Sequence, residues 1–147
     1  MPFVSITRLR LRAARYLPAF VWHTATSMRQ LRRAPGFLDG TIAADVGRRT
    51  FWTATVWRDL AAMRAYRNTG SHMKAMPHLL HWCDEASVAH WEQADVAVPG
   101  ADDMLARMTR EGRLSKVRHP SAAHAAGAAA GDGRAPVARG VPMRPVA

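Results

Sequence analysis

Residues 49–57, RTFWTATVW, decide the fold class, because threonine, valine and aromatic side chains dominate this run and favour a β-strand. A second strand-like run, GFLDGTIAADV, occupies residues 36–46. The segment at their junction, Asp45-Val46-Gly47-Arg48, has the length and composition of a hairpin turn. The two runs therefore predict a β-hairpin in the first half of the chain.

Helical and strand patterns flank this hairpin on both sides. Residues 3–11 predict a first strand, and residues 16–33 predict a helix whose apolar residues recur at helical spacing. After the hairpin, Asp59 is placed to cap a helix, residues 71–83 predict another, and residues 86–94 predict a last strand. This order is the ferredoxin-like split βαβ arrangement. We therefore predict an α+β domain over residues 1–98.

The character of the chain changes after this domain. Residues 99–118 predict a short helix and a possible strand, which form an extension. Residues 119–147 are rich in Ala, Gly, Pro and Arg and have almost no large apolar side chains. Such a segment buries too little surface to offset its ordering entropy, so we predict a disordered basic tail.

The predicted sheet also implies a partner. Four antiparallel strands with helices on one face leave the other face uncovered, and a second copy of the chain is the simplest cover. The sequence therefore predicts a homodimer whose sheets pack face to face.

Composition limits the classes of function. The 147 residues carry a net charge of +10, but arginine greatly outnumbers lysine, as GC-rich coding produces, and no nucleic-acid motif is present. We predict no specific nucleic-acid binding. The single cysteine, Cys83, excludes an internal disulfide and fits a reducing cytoplasm. Arginines interrupt the N-terminal apolar stretch, and no apolar run has the length of a membrane span. We therefore expect a cytoplasmic protein without a membrane span.

His72 is the first candidate for chemistry. In a helix over residues 71–83 it lies on the same stripe as Met76 and Leu79, at the start of that stripe. A histidine half inside a pocket can titrate, donate a hydrogen bond or bind a metal. The alternative is a histidine that only bonds a backbone carbonyl at a helix start.

Other residues are weaker candidates. Asn68 precedes His72 by one turn, but Gly70 intervenes. His78 and His81 have the spacing of a metal pair, although a solvated helix face explains them better. Arg8 begins an alternating arginine series on the first strand that could hold an anion or lie in solvent.

Tryptophans are the remaining candidates. Trp52 and Trp57 are predicted on opposite faces of their strand, and most of the five tryptophans should pack in the core or a dimer interface. One or two could line a ligand cavity. The predicted ligand-contacting set is Trp22, Trp52, Trp57, Asn68, Met76 and Arg8.

Pro35-Gly36-Phe37, followed by Phe51 to Trp57, resembles the antibiotic-biosynthesis monooxygenase and haem-degrading superfamily. Residues 61–66, 70–76 and 82–85 are similar to the branch that contains spheroidene monooxygenase. This resemblance covers residues 3–93 and implies a dimeric α+β barrel with a pocket between helices and sheet. It also implies either cofactor-free oxygenation of aromatic molecules or haem bound through a helix histidine, whose place His72 takes.

Three functional hypotheses follow. The first is a monooxygenase-like enzyme of secondary metabolism, in which His72 accepts a proton from an apolar or aromatic substrate. The second is a haem protein with His72 as the axial iron ligand. The third is a non-catalytic dimeric binding or scaffold protein. An open cavity beside His72 favours the first two, and a filled one favours the third.

Overall fold

The computed structural model describes residues 1–137 and 140–146, and within them six strands form one antiparallel sheet in the order β5-β4-β1-β3-β2-β6. The strands are β1 (Phe3–Leu11), β2 (Phe37–Asp45), β3 (Thr50–Trp57), β4 (Cys83–Glu92), β5 (Arg113–Leu114) and β6 (Val141–Met143). The helices are α1 (Leu17–Arg32), α2 (Leu60–Arg67), α3 (Gly70–Trp82), α4 (Ala101–Glu111) and α5 (Ala122–Ala125). The elements from β1 to β4 confirm the predicted ferredoxin-like α+β order.

Local sequence explains where these elements begin and end. The carboxylate of Asp59 accepts a hydrogen bond of 2.8 Å from the backbone N–H of Ala62, which caps α2. Gly36, between α1 and β2, has a φ of 85°, a conformation that glycine adopts without strain. β4 starts at Cys83, three positions before the predicted start, because Cys83 already pairs with Leu11 of β1. α3 therefore passes into β4 without a loop.

α1, α2 and α3 cover one face of the sheet. Leu31 of α1 and Met63 of α2 are buried against Phe3, Phe37 and Trp57 of the strands. A second cluster packs Phe20 of α1 and Trp82 of α3 against the strand residues Leu11 and Phe51. The apolar stripes of these helices thus meet the sheet as their periodicity predicts.

The opposite face of the sheet is covered by the chain itself. Met104 and Met108 of α4 are buried against a strand cluster that includes Val4, Ile6 and Trp52. Ala129 and Ala130 pack beside them. The uncovered apolar face on which the dimer prediction rests is therefore not open in this chain, because the extension fills it. The homodimer stays a prediction, without that argument.

The described residues after His119 make specific contacts with the sheet. β6 pairs with β2 and buries the Met143 side chain, which is 1% exposed. The Ser121 hydroxyl donates a 2.6 Å hydrogen bond to Glu85, and the Ser87 hydroxyl donates one of 2.6 Å to the Ala129 carbonyl. Backbone and hydroxyl hydrogen bonds, which hydropathy does not count, attach this segment to the sheet.

None of the helices within the described residues combines the length and the hydropathy that crossing a bilayer requires.

Candidate functional site

A cavity of about 450 Å³ lies between the sheet and the layer formed by α1, α2 and α3. Its walls are mostly apolar and include Phe20, Leu31, Phe51, Met63 and Leu79. This size and character are those of a site for a small organic molecule. The predicted space between helices and sheet is therefore open rather than filled by its own side chains.

The sheet gives this cavity a polar floor. Ser5 of β1 pairs with Thr55 of β3, and Thr7 pairs with Thr53, so four hydroxyl side chains form two adjacent cross-strand pairs that all line the cavity. His90 of β4 lies beside Ser5 on the other side and also lines the cavity. A ligand bound here would meet hydroxyl groups on one side and apolar side chains on the other.

His72 lines this cavity from the first turn of α3. Its Nδ1 lies 3.3 Å from the carbonyl oxygen of Arg67. A carbonyl oxygen only accepts, so this contact places the proton on Nδ1 and leaves the lone pair on Nε2. Nε2 has no hydrogen-bond partner among the described residues. Burial lowers the pKa of the His72 imidazole, which keeps it neutral and able to accept a proton.

Gln30 of α1 fixes the backbone that carries His72. Its side-chain oxygen accepts a 2.9 Å hydrogen bond from the His72 N–H, and its nitrogen donates to the carbonyls of Tyr66 and Thr69 at 3.1 and 2.8 Å. Gly70 sits against this amide with a φ of 61°, and a Cβ there would approach the Gln30 side chain to 3.0 Å. One amide therefore joins α1 to the turn between α2 and α3.

The aromatic rings of Tyr66 and Trp57 pack in series beside the His72 imidazole. The Tyr66 ring lies 4.9 Å from that of His72 and 5.3 Å from that of Trp57, measured between centroids. The Trp57 Nε1–H donates a 2.9 Å hydrogen bond to the Thr55 hydroxyl, and the Tyr66 hydroxyl donates one of 3.2 Å to the Ser27 carbonyl. Burial raises the pKa of Tyr66, so its phenol stays protonated.

The predicted ligand-contacting residues separate into two groups. Trp57 and Met76 line the cavity together with His72. The other four do not: Trp22 is exposed on α1 and Asn68 is exposed just after α2, whereas Trp52 and Arg8 lie on the opposite face of the sheet. Trp52 and Arg8 face away because side chains alternate along β1 and β3, and the hydroxyl residues occupy the positions that face the cavity.

Arg8 belongs to a buried ion-pair cluster. Its Nη1 lies 2.7 Å from the Glu85 carboxylate and its Nη2 lies 3.7 Å from that of Asp132. Burial by itself would raise the pKa of Glu85, but hydrogen bonds from Ser121 and Arg8 outweigh it and lower this pKa. The role of this arginine in the structure is to pair with carboxylates of β4 and the C-terminal segment.

The sequence pattern does not identify several residues that form or support this site. The register of the sheet places His90 and the hydroxyl residues of β1 and β3 at the cavity. The packing of the helices on one another places Tyr66 and Gln30. One feature of the sequence weakly indicates the cavity: Ser5 and Thr7 alternate with larger side chains on β1. Small hydroxyl residues at alternating strand positions share one face and leave the space in front of it unfilled.

Neither a thiol nor a metal cluster adds chemistry to the site. Burial raises the pKa of Cys83 to about 12, so its thiol stays protonated and unreactive. The described residues contain no group of three or more His, Cys, Asp or Glu side chains placed to hold a metal ion. Neither His78 nor His81 belongs to such a group among the described residues. Haem iron needs only one protein ligand, and Nε2 of His72 fits that requirement.

Solved structures share this architecture. SnoaB, a cofactor-independent oxygenase from Streptomyces nogalater, superimposes with a TM-score of 0.52 at 16% identity, over 64% of this chain and 94% of SnoaB. Rv0793 from Mycobacterium tuberculosis gives a TM-score of 0.59 at 13% identity, over 66% of this chain and 99% of Rv0793. PA3566 from Pseudomonas aeruginosa gives 0.56 at 17% identity, over 64% and 95%. At these identities the likeness establishes the fold.

The sequence establishes the family. The model of the antibiotic biosynthesis monooxygenase family matches residues 2–78, from β1 into α3, which is more than half of the chain. The protein therefore belongs to the antibiotic biosynthesis monooxygenase family. A search of curated proteins gave no match. The narrower similarity to spheroidene monooxygenase stays a prediction.

Proposed function

We propose that this chain is a monooxygenase that uses His72 as a general base on a phenolic or enolic aromatic substrate in the cavity between sheet and helices. The observation that carries this proposal is the imidazole at the cavity wall, with Nδ1 bonded to the Arg67 carbonyl and Nε2 free to accept a proton. Membership of the family supports the reaction class.

The proposed reaction begins with a proton transfer. Nε2 of His72 accepts the proton of the substrate hydroxyl, and the resulting phenolate or enolate is electron-rich enough to react with O₂. One oxygen atom bonds to the ring carbon and becomes a carbonyl oxygen, and the other leaves as water with the two hydrogens that the substrate loses, one of them from the ring carbon and the other the proton passed to His72 or a second one from that carbon. The substrate supplies all the electrons, so the balance requires no external reductant.

The residues around the base have separate roles in this proposal. The apolar walls hold the ring system and exclude water, which strengthens the interaction between imidazole and hydroxyl. Ser5, Thr7 and Thr53 would hydrogen-bond the oxygen substituents that such substrates carry. Gln30 positions His72 through the turn that precedes α3. A cytoplasmic site of action fits the unpaired, buried Cys83.

Oxygen consumption tests this function. Purified protein stripped of metals should consume O₂ with fused-ring phenols or anthrones, and His72→Ala should abolish the consumption while His78→Ala, on the same helix, should retain it. Equal rates for His72→Ala and the unmodified protein would contradict the proposal.

Haem binding is the second candidate, because the same free Nε2 could ligate iron. Bound haem would supply redox chemistry at the iron, and Arg67 and Lys116, which line the cavity, would be available to its carboxylates. An absorption spectrum with and without added haem separates the candidates. A Soret band that His72→Ala removes would favour haem, whereas a titration with no saturable spectral change would favour the cofactor-free reaction.

A further inference from the structure

The helical layer formed by α1, α2 and α3 carries charge of one sign, since the Asp59 carboxylate that caps α2 lies just outside these helices and pairs with Arg58. Residues 1–38 and 60–83, which include all of α1, α2 and α3, contain no Asp or Glu, so all 11 acidic residues lie elsewhere in the sequence. The exposed cations of this layer are Arg29, Arg32, Arg33, Arg64 and Lys74. None of these five forms an ion pair with a carboxylate in the described part of the chain. Their charge is therefore available to an external partner.

The same layer exposes large apolar side chains. Trp22 is 69% exposed, and Val21 of α1 and Met73 and Met76 of α3 are also exposed. Trp22 lies at the centre of the outward face of α1, because Pro18, Ala25 and Arg29 share that face at helical spacing and are exposed. The other four tryptophans, Trp52, Trp57, Trp82 and Trp91, are at most 8% exposed.

We propose that this helical layer is a docking surface for an anionic lipid membrane. A tryptophan inserts its ring at the level of the lipid headgroups, and arginines beside it are attracted to anionic lipids. The acidic residues of β2, β4 and α4 lie outside this layer, so the molecule has a preferred orientation towards negative charge.

Charge also argues against a second copy of the chain as the occupant. Two helical layers brought face to face would place arginines against arginines without intervening carboxylates, and this repulsion opposes association. A membrane supplies both the negative charge and an apolar phase for Trp22 and Val21. The inference does not depend on the chemistry of the cavity, although Met76 belongs both to the exposed layer and to the cavity wall.

Vesicle binding followed by tryptophan quenching tests this surface. The full-length protein is mixed with vesicles of phosphatidylcholine alone or of phosphatidylcholine with phosphatidylglycerol, some of which carry brominated acyl chains. We expect binding to the anionic vesicles only, weakened by salt, with quenching by the brominated chains. Trp22→Phe should remove that quenching, because the remaining tryptophans are buried.

A matched pair of charge variants locates the surface. Arg29→Glu/Arg33→Glu and Arg110→Glu/Arg113→Glu change net charge equally, but the second pair lies in α4 and β5, outside the helical layer. The first variant should weaken vesicle binding about tenfold or more, and the second should weaken it much less. Equal loss in both variants, quenching that persists in Trp22→Phe, or binding only to nucleic acid or an acidic protein would each overturn the proposal.

Discussion

At the scale of residues, His72 carries the proposed chemistry. Its ring lines the cavity and contacts the Arg67 carbonyl and the Tyr66 ring, but it fills no tightly packed core position. His72→Ala should abolish activity and reduce the free energy of unfolding by only about 1 kcal/mol. Chemical denaturation beside the oxygen assay measures both effects, with His78→Ala as the control. A loss above about 2 kcal/mol with activity intact would assign His72 a structural role.

The lowered pKa of His72 predicts the pH dependence of activity. Burial disfavours the imidazolium in the folded chain, so the neutral base persists below the usual imidazole pKa near 6.5. The acid limb of the pH–rate profile should therefore fall below that value. The contribution of neutral His72 to the free energy of unfolding has the same pH dependence. It is fully present above pH 6.5 and declines as the pH falls towards the folded-state pKa, because the unfolded chain binds the proton more readily. An acid limb above pH 7 would contradict this assignment.

Residue positions show what sequence can and cannot predict. Placing Trp52 and Trp57 on opposite faces needed only the two-residue period of a strand, and the structure confirms it. The strand period does not say which of the two tryptophans points into the cavity. That choice depends on which face of the sheet the helices cover, and only the structure shows this. Gln30 lay beyond prediction, since its bonds to Tyr66, Thr69 and His72 cross between helices far apart in sequence.

At the scale of elements, β6 should stabilise the domain. Met143 is buried against Gly40 and the cluster that contains Phe37 and Trp57, so Met143→Ala should cost about 2 kcal/mol or more. Val141→Ala, in the same strand but exposed, is the matched control. Urea unfolding measures both. A disordered tail, as composition alone predicts, would make neither substitution destabilising. Equal urea midpoints for the two variants would therefore contradict the docking of β6.

The buried pair of Arg8 and Glu85 gives a second prediction for β1 and β4. Glu85→Ala would leave the Arg8 guanidinium buried without its closest carboxylate, at a cost of about 3 kcal/mol. Arg8→Met/Glu85→Met should recover most of that loss, because no charge then remains buried. If the double variant is less stable than the single one, the pair contributes net stability and this account of it is wrong.

Secondary structure was the most predictable level. The strands and helices through β4 follow from periodicity, the Asp59 cap and the Pro35-Gly36 stop, with β4 beginning earlier than expected. The docking of residues 119–137 and 140–146 was not predictable, because it rests on serine hydroxyls, backbone pairing and a single buried methionine rather than on an apolar pattern.

At the scale of the whole molecule, the extension determines which surfaces are free. α4 covers the sheet face that a partner sheet would need, and Arg107 lies over the Trp91 ring at 4.3 Å beside it. Light scattering at micromolar concentration tests the predicted homodimer: a mass of twice 16.2 kDa would confirm it, and a monomer of 16.2 kDa would contradict it. A stable dimer would require either a different interface or displacement of α4, and crosslinking from α4 would distinguish these two cases.

The central claim is that Nε2 of His72 accepts a proton from a ligand in the cavity, and para-nitrophenol tests it directly, because its phenolate is yellow and its phenol is not. Titrating the protein into this probe below the pKa of the free phenol should produce a saturable rise in phenolate absorbance, because the imidazolium formed by the transfer pairs with the phenolate oxygen and this pairing offsets the lowered pKa of His72. We expect this rise for the unmodified chain and for His78→Ala, and its loss in His72→Ala. A rise of the same size in His72→Ala would contradict it.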